Sequence, residues 1–364
     1  MTTLVAIALV SCDGPTDAGA PDAERFEPSL TGSAHVPYST SETVALLDEH
    51  TACTIDTYET KIDCVDSSGA TVGRFGDKGE GPGEFLSPAR VIRGPDGLIG
   101  FSDSSRRRFF VFTREGELVA EVPLHMLSIF VPISFSETTV LGAYTDGVGR
   151  AVFSAYMGDV MAAAEISLST GDVVREWKPA SVPEFPECEH GLPYYGFPAV
   201  GGAGDDTWVF MGCGGTMGFV GPGGDTTMLR APRYVAESPS DRDVEEYGDG
   251  LREFRRRIGA DPDVSASVRE FSETPRLYFL LRGQETFDGQ GRLWISTRRG
   301  RMESSFIDVY DGVELVGTVE VRDRMIDFDL FDGTLAVLVE RQVGPDDSDG
   351  VPDRGIDWYD LGEF

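Results

Sequence analysis

The chain has 364 residues and a formal charge of −31, with 31 Lys and Arg against 62 Asp and Glu. Charge of that sign repels nucleic-acid phosphates and anionic lipid headgroups over the mean surface, which excludes nucleic acid as a partner and favours cationic partners or divalent ions. Hydrophobic residues make up 40%, too many for general disorder, and the length permits one repeat-built domain or two ordinary ones.

The first residues read MTTLVAIALVSC, an apolar run from Leu4 to Val10, the small Ser11, then Cys12. The LVSC segment resembles the lipobox of bacterial lipoproteins. Residues 1–12 are therefore expected to be a lipoprotein signal with Cys12 as the lipid-bearing residue, although the apolar run is short and no Lys or Arg precedes it. The polar stretch that follows predicts a flexible tether over 13–34, and 35–364 the folded body. The segment from Phe26 to Val36, which begins inside that tether, is able to add a strand to the terminal sheet and clasp the ring. No later apolar segment is long enough for a membrane-spanning helix, so membrane attachment rests on the lipid alone.

From Val44 to Val72 the runs VALLDE, CTID, KIDCV and ATV predict four short strands. Cys53 and Cys64 bracket two of them, which makes a cross-hairpin bridge plausible. With Cys12 set aside, Cys53, Cys64, Cys188 and Cys213 form an even set, consistent with two disulfides in an oxidising compartment; ligation of a metal by all four is the rival. Next comes GRFGDKGEGPGEF, glycine-dense like a phosphate loop but lacking the Lys–hydroxyl pair that holds phosphate and magnesium. Its place between strand sets makes it a crossing in which glycines permit tight bends and Phe75 and Phe85 plug between neighbouring sheets.

Ala89 to Leu124 gives a second set of four strands, ARVI, LIGF, RFFVF and ELVAEV, broken at PDG, SDSS and REG. A weaker set spans Met126 to Trp177. Asp205 to Arg230 holds more strands among glycine-rich turns, and Pro275 to Val321 another set of four. IDFDLFDGTLAVLVERQ and GIDWYDL close the chain. Between Ser238 and Phe271 the spacing of Val244, Leu251, Phe254 and Ile258, with acids early and arginines late, predicts one or two short helices. Strand sets at this spacing predict an all-β fold, a six-bladed β-propeller with a small helical insertion at about 238–271.

GRFGDKGEGPGEFLSPARV followed by PDGLIGFSDSSRRRFFVFTREGELV resembles the six-bladed β-propeller proteins of bacterial envelopes, related in style to NHL repeats. The matching positions are Gly79, Gly81, Pro82, Gly83, Glu84, Phe85 and Pro88, then Asp96, Gly97, Asp103, Arg108, Val111, Phe112 and Gly116. The resemblance implies the fold and a location in the cell envelope, periplasmic or facing outward. It implies no single chemistry.

Candidate chemistry is sparse. His35, His50, His125 and His190 are isolated, and neither HExxH nor GxSxG occurs. GPDDSDG offers Asp346, Asp347 and Asp349 as oxygen ligands for calcium, without the full EF-hand pattern; a solvated loop is the plainer reading. Asp327 and Asp329 alternate along one strand and either line the ring or face water. Arg106 to Arg108, and Arg255 to Arg257, are expected to form surface ion pairs, and Trp208 and Trp294 to pack between sheets. The function these features support is an envelope-tethered binding or interaction module, a monomer contacting an unidentified envelope protein, peptide or glycan. The alternative is a metal-dependent propeller hydrolase or lyase with its site in the central channel.

Overall fold

Runs of β-branched and aromatic residues, punctuated by Asp, Gly and Pro, leave short strands as the way to bury apolar side chains. The hairpin at Asp66 shows how each turn is fixed. Its carboxylate accepts hydrogen bonds from Ser68 N and Ala70 N, both at 2.9 Å, and Gly69 supplies the left-handed φ of 87° that other residues avoid. The computed structural model describes residues 24–26, 28–36, 41–56, 59–125, 130–145, 161–177, 194–195, 199–200, 207–213, 215–220, 226–231, 238–257, 261–274, 278–279, 286–297, 305–341 and 353–362.

Two strands, β1 (Glu24–Phe26) and β2 (Ser29–Val36), precede the first sheet. That sheet is β3 (Ser41–Leu46), β4 (Thr51–Asp56), β5 (Lys61–Asp66) and β6 (Thr71–Phe75). The second is β7 (Ile92–Arg93), β8 (Ile99–Asp103), β9 (Arg108–Phe112) and β10 (Leu118–Pro123). The third is β11 (Phe130–Phe135), β12 (Thr139–Thr145), β13 (Met161–Ser167) and β14 (Val173–Trp177). The fourth gathers β15 (Tyr194–Tyr195), β16 (Ala199–Val200), β17 (Thr207–Cys213), β18 (Thr216–Val220) and β19 (Thr226–Arg230). After helices α1 (Asp241–Arg257) and α2 (Ser265–Glu273) comes the fifth, β20 (Thr286–Phe287), β21 (Leu293–Thr297), β22 (Ser305–Asp311) and β23 (Glu314–Val321). The last is β24 (Arg324–Phe331), β25 (Thr334–Arg341) and β26 (Asp353–Asp360).

Successive strands of a sheet pair antiparallel, except in the fourth, where β15 and β16 both pair with β17; a leading strand of one sheet approaches that of the next: β24 to β3, β3 to β7, β7 to β11, β11 to β16, and β16 to β20. Apolar cores fill the seams between the sheets. Cys53, Ile55 and Cys64 of the first sheet pack on Phe101, Phe110 and Phe112 of the second, with Phe85 fully buried between them. Further cores join second to third, fourth to fifth, fifth to last, and last to first sheet. This is an all-β propeller with few helices. The expectation of six blades meets five apolar cores among the described residues, one fewer than a closed ring of six requires. The seam without a described core, between third and fourth sheets, adjoins the long stretches of 146–160 and 178–193 that lie outside the described residues.

The chain's start corrects the tether boundary. From Glu24 it is already strand: β1 pairs parallel with β23, and β2 pairs antiparallel with β26, Ala34 opposite Ile356. The clasp expected from Phe26 onward is present, because β2 completes the last sheet with a strand from the opposite end of the chain.

The helical insertion is two helices. Ser240 and Asp243 cap α1 reciprocally, Ser240 N to Asp243 Oδ2 at 2.8 Å and Asp243 N to Ser240 Oγ at 3.3 Å. Tyr247 of α1 stacks on Phe271 of α2 with ring centroids 4.3 Å apart.

Candidate functional site at the first-to-last seam

The aspartates of β24 answer the choice their alternation left open. A strand presents alternate residues on one face, so Asp327 and Asp329 point together toward β3. Asp327 Oδ2 accepts the Val44 N–H at 2.9 Å and Asp329 Oδ2 the Leu46 N–H at 2.8 Å. These amides lie on the edge of β3 that β4 leaves unpaired, and two residues along a strand repeat the same spacing on both partners. The carboxylates thus stand in for a neighbouring strand.

Guanidinium groups from the second sheet complete the cluster. Arg93 Nη1 donates to Leu46 O at 2.9 Å and lies 3.9 Å from Asp329 Oδ2, while its guanidinium carbon sits 4.4 Å above the Phe331 ring. Arg90 Nη2 lies 3.8 Å from Asp327 Oδ1. Three sheets are therefore tied at one point. Burial pushes the Asp327 carboxyl up to about 6 against the opposing pull of Arg90 and the Val44 amide, with Asp329 adding to the rise. Burial likewise raises Asp329, opposed first by Arg93.

Deeper in the first sheet, Asp63 is also pushed up to about 6, by burial and then by the charge of Asp56, with Lys61 opposing. Arg74 Nε lies 3.2 Å from its Oδ1, and its Oδ2 has no hydrogen-bond partner among the described residues. In the last sheet Glu340 holds Arg324 at 3.1 Å and Arg354 at 3.0 Å; burial lowers the Arg354 pKa, against the pull of Glu340.

The glycine-rich stretch is architecture. Gly76 has a φ of 97°, and a Cβ there would lie 2.2 Å from the Phe85 ring. Glu84 Oε2 accepts the Gly81 N–H at 2.8 Å, and a Cβ on Gly79 would strike the same oxygen. Asp103 pins the far end, accepting from Leu86 N at 2.6 Å and Ser105 N at 2.9 Å. Arg106 donates to Gly81 O and Glu84 O and pairs with Glu121 at 2.9 Å. Arg108 shares Glu121 at 3.1 Å, so the run at Arg106 does form ion pairs, but the Arg106–Glu121 pair is largely buried rather than on the surface as expected.

The remaining sequence candidates divide. Cys53 and Cys64 sit directly opposite in the β4–β5 register and form a disulfide. Trp294 is fully buried between fifth and last sheets. Cys12, Cys188, Asp346, Asp347 and Asp349 lie outside the described residues, as do the side chains of Cys213 and Trp208. Among the described residues no three His, Cys, Asp or Glu side chains converge to hold a metal. Arg90, Arg93 and Asp63 went unremarked in the sequence; the one available signal for the arginines was the Asp327–Asp329 alternation, which demands partners once buried.

No protein-family model matches the chain, and no curated protein matches it. Solved structures do. A member of the DUF4221 family from Bacteroides vulgatus is 10% identical, with 93% of this chain and 98% of that one covered and a TM-score of 0.55. A luciferin-regenerating enzyme is 10% identical over 91% of this chain and 95% of that one, at a TM-score of 0.49. A catalytically inactive virginiamycin B lyase from Staphylococcus aureus is 12% identical over 92% and 89%, at 0.43. The last two are too distant to argue from, and the first, at its identity, shows a shared propeller fold and nothing of chemistry.

Proposed function

We propose that this chain is a six-bladed β-propeller binding module held in a bacterial cell envelope, periplasmic or facing outward, by lipid on Cys12, where its loops contact an envelope protein, peptide or glycan. The observation that carries the binding role is the mutual engagement of Asp327, Asp329, Arg90 and Arg93. These contacts join sheets to one another, and the loops between strands are displayed on that framework. The Cys53–Cys64 bridge supports a compartment outside the reducing cytoplasm. The excess of acidic residues favours a ligand with cationic groups.

Mass spectrometry of the mature protein is expected to find Cys12 acylated at a new N-terminus, with Cys12→Ala released from membranes. The binding role is checked by measuring affinity for panels of cationic peptides and envelope glycans with the purified body. Saturable binding without turnover is the expected result. Metal-dependent turnover of an ester or glycoside would replace this reading with the hydrolase or lyase alternative. Blade count is decided by an experimental structure of the region between the third and fourth sheets.

A further inference from the structure

Two sheets carry a buried aspartate at the same place on their third strand, Asp63 on β5 and Asp308 on β22. Alternation puts Asp63 on the face of Val65 and Asp308 on the face of Tyr310, each toward the preceding sheet. Asp308 is satisfied twice: Thr318 Oγ1 donates to its Oδ1 at 2.8 Å and the Tyr278 hydroxyl to its Oδ2 at 2.9 Å. Asp63 is satisfied once. Arg74, which holds the register position of Thr318, lies 3.2 Å from Oδ1, while Oδ2 has no hydrogen-bond partner among the described residues although the side chain is only 5% exposed. Buried polar atoms are paired as a rule, so an orphan acceptor points to a donor or a cation that the chain itself does not supply.

The neighbours of that oxygen narrow the choice. Asp56 stands one diagonal away on β4, and Ser41 directly across from Asp56 on β3, all three on one face. Both neighbours are buried, and Ser41 Oγ is a second atom without a hydrogen-bond partner among the described residues. Lys61, opposite Asp56 in the register, sends its ammonium elsewhere, to the Gly76 carbonyl and to Asp77 Oδ1 at 2.6 Å. We propose that Asp63, Asp56 and Ser41 hold a calcium ion at the seam between the first and last sheets. Two carboxylates and a hydroxyl are hard oxygen donors, and their spread over three strands suits the irregular coordination of calcium better than the rigid octahedron of magnesium, with backbone carbonyls and water completing the shell. The carboxylates lie within each other's field, since the charge of Asp56 raises the pKa of Asp63, and a cation between them relieves that repulsion. Burial to this depth admits an ion and excludes the cationic end of a peptide. Val44, Ala52 and Val65 on the same face pack against Leu338, Ile356 and Trp358 of the last sheet, so the ion braces the closure of the ring. The site is separate from the Asp346, Asp347 and Asp349 loop.

Calorimetric titration of the chelator-treated full chain with calcium chloride reads the site, at pH 7.5 so that Asp63 is ionised. Binding with a Kd of about 1 mM or tighter is expected, the range of extracellular calcium modules, and magnesium chloride should bind more weakly. Asp63→Asn should weaken calcium binding at least about tenfold, Ser41→Ala should weaken it less, and Asp347→Asn should leave this site unchanged. The proposal is overturned if the unaltered protein binds no calcium, or if magnesium binds more tightly. It is overturned equally if binding survives Asp63→Asn and is lost in Asp347→Asn, which assigns the ion to the loop. Should Asp63→Asn not fold, a crystal structure of the unaltered protein grown with calcium chloride decides the matter. An ion about 2.3–2.6 Å from Asp63 Oδ2 supports the site, and a water or nothing at that oxygen overturns it.

Discussion

Phe85 shows how much a single side chain does in a crossing segment. It is fully buried, edge-on to Phe101 with centroids 4.8 Å apart, and it occupies the space that glycine leaves at position 76. Phe85→Ala should cost about 3–5 kcal/mol, read as a lower urea midpoint without a change in slope. Gly76→Ala should destabilise for a different reason, because its Cβ meets both an unfavourable φ and the Phe85 ring; pairing it with Phe85→Leu should recover part of the loss. The Cys53–Cys64 bridge closes a short loop inside an already paired hairpin. Its removal by Cys53→Ser with Cys64→Ser should cost about 2–4 kcal/mol, measured by thermal unfolding under oxidising conditions.

At the scale of the element, the informative strand is β2. It belongs to the start of the chain and yet completes the last sheet, where Ser33 Oγ donates to Asp357 Oδ1 at 2.7 Å and Arg341 Nη2 reaches the same oxygen at 2.7 Å. Ala34 and Val36 bury their side chains in the core shared with Trp358. A chain beginning at residue 41 would lose this closure and leave β26 with an unpaired edge, an invitation to strand pairing between molecules. The expected outcomes are a clearly lower melting temperature and concentration-dependent association by light scattering.

At the scale of the molecule, charge sets the response to pH. Asp63 and Asp327 are pushed up to about 6, so their contribution favours the folded state below that pH and fades above it. Asp48 and Asp288 are lowered: burial raises each, but is outweighed by hydrogen bonds, from the His50 amide for Asp48 and the Trp294 indole for Asp288. Their contribution is present above the ordinary carboxylate range and lost as pH falls through their depressed values. The two sets together place the stability maximum between about pH 4 and 6, below neutrality. Urea titrations at pH 5 and 7.5 should give the higher midpoint at pH 5, and Asp63→Asn should narrow the gap.

What the sequence determined by itself is what local chemistry controls. Turn residues at regular intervals marked the strands from Val44 to Leu124, the glycines between Gly73 and Phe85 marked a crossing, and apolar periodicity with acids early and arginines late marked the helices near Ser238. The Cys53–Cys64 pairing was legible because eleven residues and one turn separate the two positions. The tether boundary was drawn too far along, because β1 and β2 are strands only by virtue of the distant edges they join. Only the tertiary structure decided the fate of Asp327 and Asp329. Whether a carboxylate on an alternating strand meets water or a backbone amide depends on what packs against that strand, and here the partners, Val44 and Leu46, lie 283 residues away. Desolvation and charge pairing are properties of that approach, and no window of local sequence contains them.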